Sequence, residues 1–184
     1  MRSFLWPLLL VACAPLPEPV RSLAPSEQSA LLEPLGRPLL DTAGQPVRLE
    51  GVRGPAGTVV VLTASFCDSS ELGSLLAQAG ALRAQGVEIV VVSLDHDPRA
   101  LDGMVRPPEV AILNAEADAR GALRAQTVLP TTLLLDGRGQ QLRRYDGEVP
   151  LGSLARDLER VPEYVARAGT GRHLVAALLG EATR

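Results

Sequence analysis

The sequence predicts one α/β domain with a mixed central β-sheet flanked by helices. Three observations carry this. Two nearly unbroken apolar, β-branched runs, "GTVVVLTASFC" (57–67) and "VEIVVVSLD" (87–95), have the composition of strands buried on both faces. Between them Leu72, Leu75, Leu76, Ala79 and Leu82 recur at helical spacing. Downstream, "PTTLLLDGRGQQLRRYDGEV" gives two strands around the turn signal Asp136-Gly137-Arg138-Gly139, an antiparallel hairpin.

The elements follow in order. "LLDTAGQPVRLEGVRG" places short apolar runs on either side of Ala43-Gly44-Gln45-Pro46, the pattern of an entry hairpin. The strand 57–67 is followed by the Leu72-to-Leu82 helix, which stops at Gly86, where a left-handed cap fits. After the strand 87–95 come a loop with Pro98 and a short helical run. "RPPEVAILNA" (106–115) then holds a brief strand-like run, and "EADARGALRAQ" reads as a helix despite Gly121. The hairpin is followed by "PLGSLARDLERV", a closing helix that opens on proline and carries Leu151, Leu154, Leu158 and Val161 on one face. The remainder contains an amphipathic segment near 171–182.

At 184 residues, 46% hydrophobic and 21% charged, the chain has room for one domain with a sizeable core plus tails. The net charge of −3 comes without a long run of either sign, which argues against nucleic acid as a partner. All 18 basic residues are arginine, a bias that genome base composition explains as well as any selection for anion contacts.

The first residues, "MRSFLWPLLLVACAP", combine Arg2 with an apolar stretch, Phe4 to Ala12, that is too short to span a bilayer. This reads as an export signal. Its end, Leu10-Val11-Ala12-Cys13, resembles the lipobox of bacterial lipoproteins, which implies that Cys13 is lipidated and becomes the new N-terminus. The proline-rich stretch that follows suits a tether. The expected organisation is therefore a signal over 1–12, a tether over 13–35, the α/β domain over 36–162 and a helical extension over 163–184. The expected location is the cell envelope, with the domain lipid-anchored and facing the periplasm or the exterior. Were Cys13 lipidated, Cys67 would be the one thiol left, and disulfide chemistry would need a partner molecule.

The stretch Leu62-Thr63-Ala64-Ser65-Phe66-Cys67-Asp68-Ser69-Ser70 puts a cysteine at the junction of a buried strand and a helix. With "VLPTTLLLDGRGQ" downstream and the entry hairpin upstream, it resembles the thioredoxin fold and, within it, the membrane-tethered thiol-disulfide oxidoreductases of the TlpA/ResA type. The resemblance covers roughly residues 36 to 162. It implies that Cys67 is the attacking thiol and that Pro130 is a cis-proline facing it. It also implies that Phe66, Leu129, Pro130 and Thr131 contact the partner, with Leu129 presenting its backbone to a bound peptide.

Two departures stand out. Ser70 occupies the place of the second cysteine and cannot resolve a mixed disulfide by intramolecular attack, though its hydroxyl can donate a hydrogen bond to the thiolate. Val61 stands where thioredoxin itself has a buried aspartate. A helix N-terminus favours the thiolate, whereas Asp68 and Glu71 oppose it.

Three functions fit these residues. Cys67 and Ser70 form a monothiol redox site that exchanges with exported protein thiols or disulfides, or with low-molecular-weight thiols. Alternatively, the fold is a non-catalytic binding module with an inert cysteine. A one-cysteine peroxidase is the third: peroxiredoxins share the fold and use a Thr/Ser-x-x-Cys strand end with an arginine. Here Thr63 is one position too far from Cys67, and Arg143 or Arg144 would supply the arginine. In "SLDHDP" (93–98), Asp95, His96 and Asp97 read as a solvated loop rather than a metal site. Copper-delivering proteins of this fold need two cysteines and a distant histidine, and His173 lies in the tail. No cofactor and no metal are expected.

Overall fold

The computed structural model describes residues 25–67, 70–104, 107–148 and 151–161. The expected signal, Cys13 and the extension over 163–184 lie outside the described residues.

The elements are α1 (Pro25–Leu35), β1 (Leu39–Leu40), β2 (Pro46–Val47), a 3-10 turn (Leu49–Val52), β3 (Gly57–Thr63), α2 (Ser70–Leu76), α3 (Ala79–Ala84), β4 (Val87–Ser93), β5 (Ala111–Asn114), α4 (Ala117–Arg124), β6 (Thr131–Asp136), β7 (Gln141–Asp146) and α5 (Leu151–Glu159). The strands form one seven-stranded sheet in the order β2-β1-β5-β4-β3-β6-β7. β3, β4 and β5 run parallel, while β6 pairs antiparallel with both β3 and β7, so the sheet is mixed as its sequence pattern required.

Every residue of β3 and β6 is buried, and so is all of β4 except Glu88. Strands covered on both faces can be apolar throughout, which is why these runs lack alternation. Odd-numbered residues of β3 and β4 (Val59, Val61, Ile89, Val91) meet Leu72, Leu75, Leu76, Ala79 and Leu82 of α2 and α3, together with Leu154 of α5. Even-numbered ones (Val60, Leu62, Val90, Val92) meet Leu31 and Leu35 of α1 and Ala119 and Leu123 of α4. The result is helix, sheet, helix in three layers.

Local chemistry sets the connections. Gly86 has φ of +79°, the left-handed cap expected of it. The β6–β7 turn is held by Asp136, whose Oδ1 accepts the backbone N–H of Arg138 (2.9 Å) and of Gln140 (2.8 Å), while Gly139 takes φ of +82°.

The structure corrects three expectations. The helix read from Leu72 to Leu82 is two helices, because the chain tightens where the N–H of Gln78 bonds the carbonyl of Leu75, three residues back. The helical run after Pro98 is a series of turns, although its Leu101 and Met104 still reach the core. The stretch read as tether is helical from Pro25 onward. Leu31 (0% exposed) and Leu35 (1%) are fully buried in the core and α1 packs on α4. Prolines suggested a spacer, but Pro25 opens this helix and Pro34 sits in its last turn, with the leucines between them free to face inward.

Candidate functional site around Cys67

The C-terminal ends of β3, β4 and β5 place the site. Thr63, Ser93 and Asn114 stand in register across these strands, all three buried. Just beyond Thr63 the chain turns: the N–H of Cys67 bonds the carbonyl of Ala64 at 2.9 Å, closing residues 64 to 67 into one tight turn before α2 begins at Ser70. Cys67 is half-buried and free. Ser70 is exposed at the first position of α2, with its carbonyl accepting the Ser74 hydroxyl at 3.0 Å.

The other side of the site comes from the loop between α4 and β6. Leu62 pairs with Thr131, so the segment before β6 leaves the same end of the sheet as the Cys67 turn. The Leu129–Pro130 peptide bond is cis, as the resemblance implied. Leu129 is half-buried against the α1/α4 core, and its backbone lies outside the β6 ladder, which starts at Thr131. The carbonyl of Pro130 accepts the N–H of Gly147 at 2.7 Å.

Thr131 does not face a partner. It is fully buried, and its hydroxyl lies 2.7 Å from the Val128 carbonyl and 2.9 Å from Asp146 Oδ1. Its role is to brace the loop, jointly with Arg144, whose guanidinium donates to Asp146 (2.9 Å) and to the Gln126 carbonyl (2.7 Å).

Phe66 and Val128, 72% and 67% exposed, are the large hydrophobic side chains that the described residues leave in solvent. One precedes the cysteine, and the other precedes Leu129. Single exposed hydrophobics are ordinary, but here both belong to segments at the same end of two neighbouring strands.

The arginines of the peroxidase reading are both engaged elsewhere. Arg143 approaches Asp157 of α5 (Nε to Oδ2, 3.5 Å), and Arg144 is held by Asp146. Asp157 also accepts the Tyr145 hydroxyl. Val61 is 3% exposed within the apolar core.

A carboxylate does lie by the thiol turn, at a residue the sequence reading gave to a solvated loop. Asp95 is buried (8% exposed) and accepts the backbone N–H of Ser65 at 2.8 Å and the Ser65 hydroxyl at 2.9 Å. His96, Asp97 and Pro98 of that stretch are exposed, and the described residues hold no cluster of three or more His, Cys, Asp or Glu able to bind a metal. A polar residue one position past a buried strand is ambiguous in sequence, and only the pairing of β3 with β4 shows that Ser65 is within its reach.

Fold and site together define a thioredoxin-like domain. No protein-family model matches the chain, and no curated protein matches it. Among solved structures it is similar to a secreted disulfide oxidoreductase of Mycobacterium tuberculosis homologous to E. coli DsbE (16% identity, covering 69% of this chain and 97% of that one, TM-score 0.56). It is similar also to DsbF of the same organism (19%, 70% and 96%, 0.53). A third is the exposed lipoprotein thioredoxin Etrx1 of Streptococcus pneumoniae (16%, 67% and 97%, 0.54).

Proposed function

We propose that the chain is an extracytoplasmic, lipid-anchored thioredoxin-like protein in which Cys67 exchanges with disulfides as a monothiol. The observation that carries this reading is a half-buried thiol at Cys67 with exposed Phe66 next to it in the chain and exposed Val128 in the loop at the same end of the sheet, two apolar contacts for a polypeptide. Thiolate attack on a partner disulfide would form the Cys67–partner S–S bond as the original S–S bond breaks, and the second partner sulfur leaves as a thiolate. With Ser70 in place of a resolving thiol, the mixed disulfide waits for an external thiol. The envelope location rests on the Leu10-Val11-Ala12-Cys13 stretch, and the similar structures include proteins described as secreted and as an exposed lipoprotein. Among the described residues no helix is long and apolar enough to cross a membrane.

The test uses the full chain carrying Cys13→Ser, incubated with glutathione disulfide and read by intact mass. A stable adduct on Cys67 is expected. In Ser70→Cys the adduct should collapse to an intramolecular disulfide, because the new thiol attacks at high effective concentration. A folded protein that forms no adduct overturns monothiol exchange and leaves a binding module. Membrane association that survives Cys13→Ala overturns the anchor.

A further inference from the structure

We infer that Asp95 is a positioning residue for Cys67, a role that rests on the reading of Cys67 as an exchange thiol. Its carboxylate is fully used on one task. Oδ2 accepts the Ser65 N–H (2.8 Å) and the Ser93 hydroxyl (3.1 Å), and Oδ1 accepts the Ser65 hydroxyl (2.9 Å). The Asp95 N–H in turn donates to the Ser93 oxygen at 3.2 Å. Ser65 is the second residue of the turn closed by the Cys67 N–H, so fixing both its backbone and its hydroxyl fixes the frame from which Phe66 and Cys67 project.

The same residue reaches the opposite side of the site. Its backbone carbonyl accepts Arg120 Nη1 at 2.6 Å, and Arg120 belongs to α4, the helix that leads into the loop carrying Leu129 and Pro130. Asp95 thus joins the turn that holds the thiol and the helix before the partner-facing loop at one buried point. Hydrogen bonds to a charged acceptor are the stronger kind, and Asp95 is buried although Ser65 is exposed. An amide replaces it only in part: with its oxygen in the Oδ2 place asparagine still accepts the Ser65 N–H, and its NH₂ can donate to the Ser65 hydroxyl oxygen, so only alanine removes every acceptor.

The consequence is a difference between substrates. Attack on a small reagent asks little of the orientation of Cys67, whereas attack on a peptide disulfide also docked against Leu129 and Phe66 asks for a fixed geometry. The test compares the full Cys13→Ser chain with the same chain carrying Asp95→Ala, Ser65→Ala or Ser65→Thr. Each is reacted with iodoacetamide and with a decapeptide whose one cysteine is a mixed disulfide with glutathione. Attack on the peptide sulfur forms the Cys67–peptide bond and releases glutathione as thiolate, so both rates are read by mass.

Asp95→Ala is expected to slow the peptide reaction about tenfold while changing alkylation less than about threefold. Ser65→Ala, which keeps the N–H bond, should fall between, and Ser65→Thr should restore the wild-type ratio. A role in stability alone would not move this ratio. Should Asp95→Ala fail to fold by circular dichroism, Ser65→Ala decides. An unchanged ratio in the folded variants overturns the positioning role alone. A folded parent chain that reacts with iodoacetamide but forms no peptide adduct overturns the exchange reading, and the positioning role with it.

Discussion

Truncating Leu31 to alanine tests whether α1 belongs to the domain. The side chain is 0% exposed and packs with Leu35, Leu39, Leu49, Ala119 and Leu123 on the α1/α4 side of the sheet. The substitution deletes three carbons, worth about 2.4 kcal/mol at roughly 0.8 kcal/mol per buried group. A residual cavity adds to this, and buried Leu→Ala changes span about 2–5 kcal/mol. Because α1 is an outer-layer helix, it can settle into part of the space, so a loss of about 2.5–3 kcal/mol is expected. Half-buried Leu32, beside it in sequence, should lose about 1 kcal/mol on the same change. Urea titration of the full chain with Cys13→Ser is the assay, with the slope unchanged and the midpoint moved. The melting temperature should fall by about 5–12 °C, from roughly 2–4 °C per kcal/mol. A Leu31→Ala loss below about 0.5 kcal/mol, the level of a surface change, would refute the reasoning and return 25–35 to the tether.

Glycines separate in the same assay. A Cβ on Gly54 would lie 2.5 Å from the carbonyl oxygens of Gly57 and Gly86 and 2.7 Å from the Glu88 nitrogen, so Gly54→Ala should cost about 3 kcal/mol or fail to fold. Gly121 lies within α4 with nothing within 4 Å of its Cβ position, and Gly121→Ala should gain about 0.5–1 kcal/mol by its helix propensity. Tyr145→Phe removes the hydroxyl donor to buried Asp157, expected to cost about 1.5–3 kcal/mol in urea titration. Phe66→Ser should leave the urea midpoint nearly unchanged, because Phe66 is 72% exposed, yet slow adduct formation with the peptide disulfide more than with iodoacetamide.

The central layer is legible in local composition. Doubly covered strands must be apolar throughout, so β3, β4 and β6 declared themselves, and Asp136 with Gly139 fixed the turn that folds β7 back. The position of Cys67 at the end of β3, and of Leu129 and Pro130 before β6, followed from that layer. Contacts between segments distant along the chain became visible with the three-dimensional fold. The two-residue strand β1 joins the sheet because Leu40 pairs with Asn114. Nothing local to "LL" could show that, since two residues have no period. The helix of α1 exists for the core it covers, while its prolines pointed to a spacer. Asp95 looked like any acidic loop residue until the pairing of β3 with β4 put Ser65 against it, 30 positions away. Burial of a polar group is set by what covers it, and that cover comes from elsewhere in the chain.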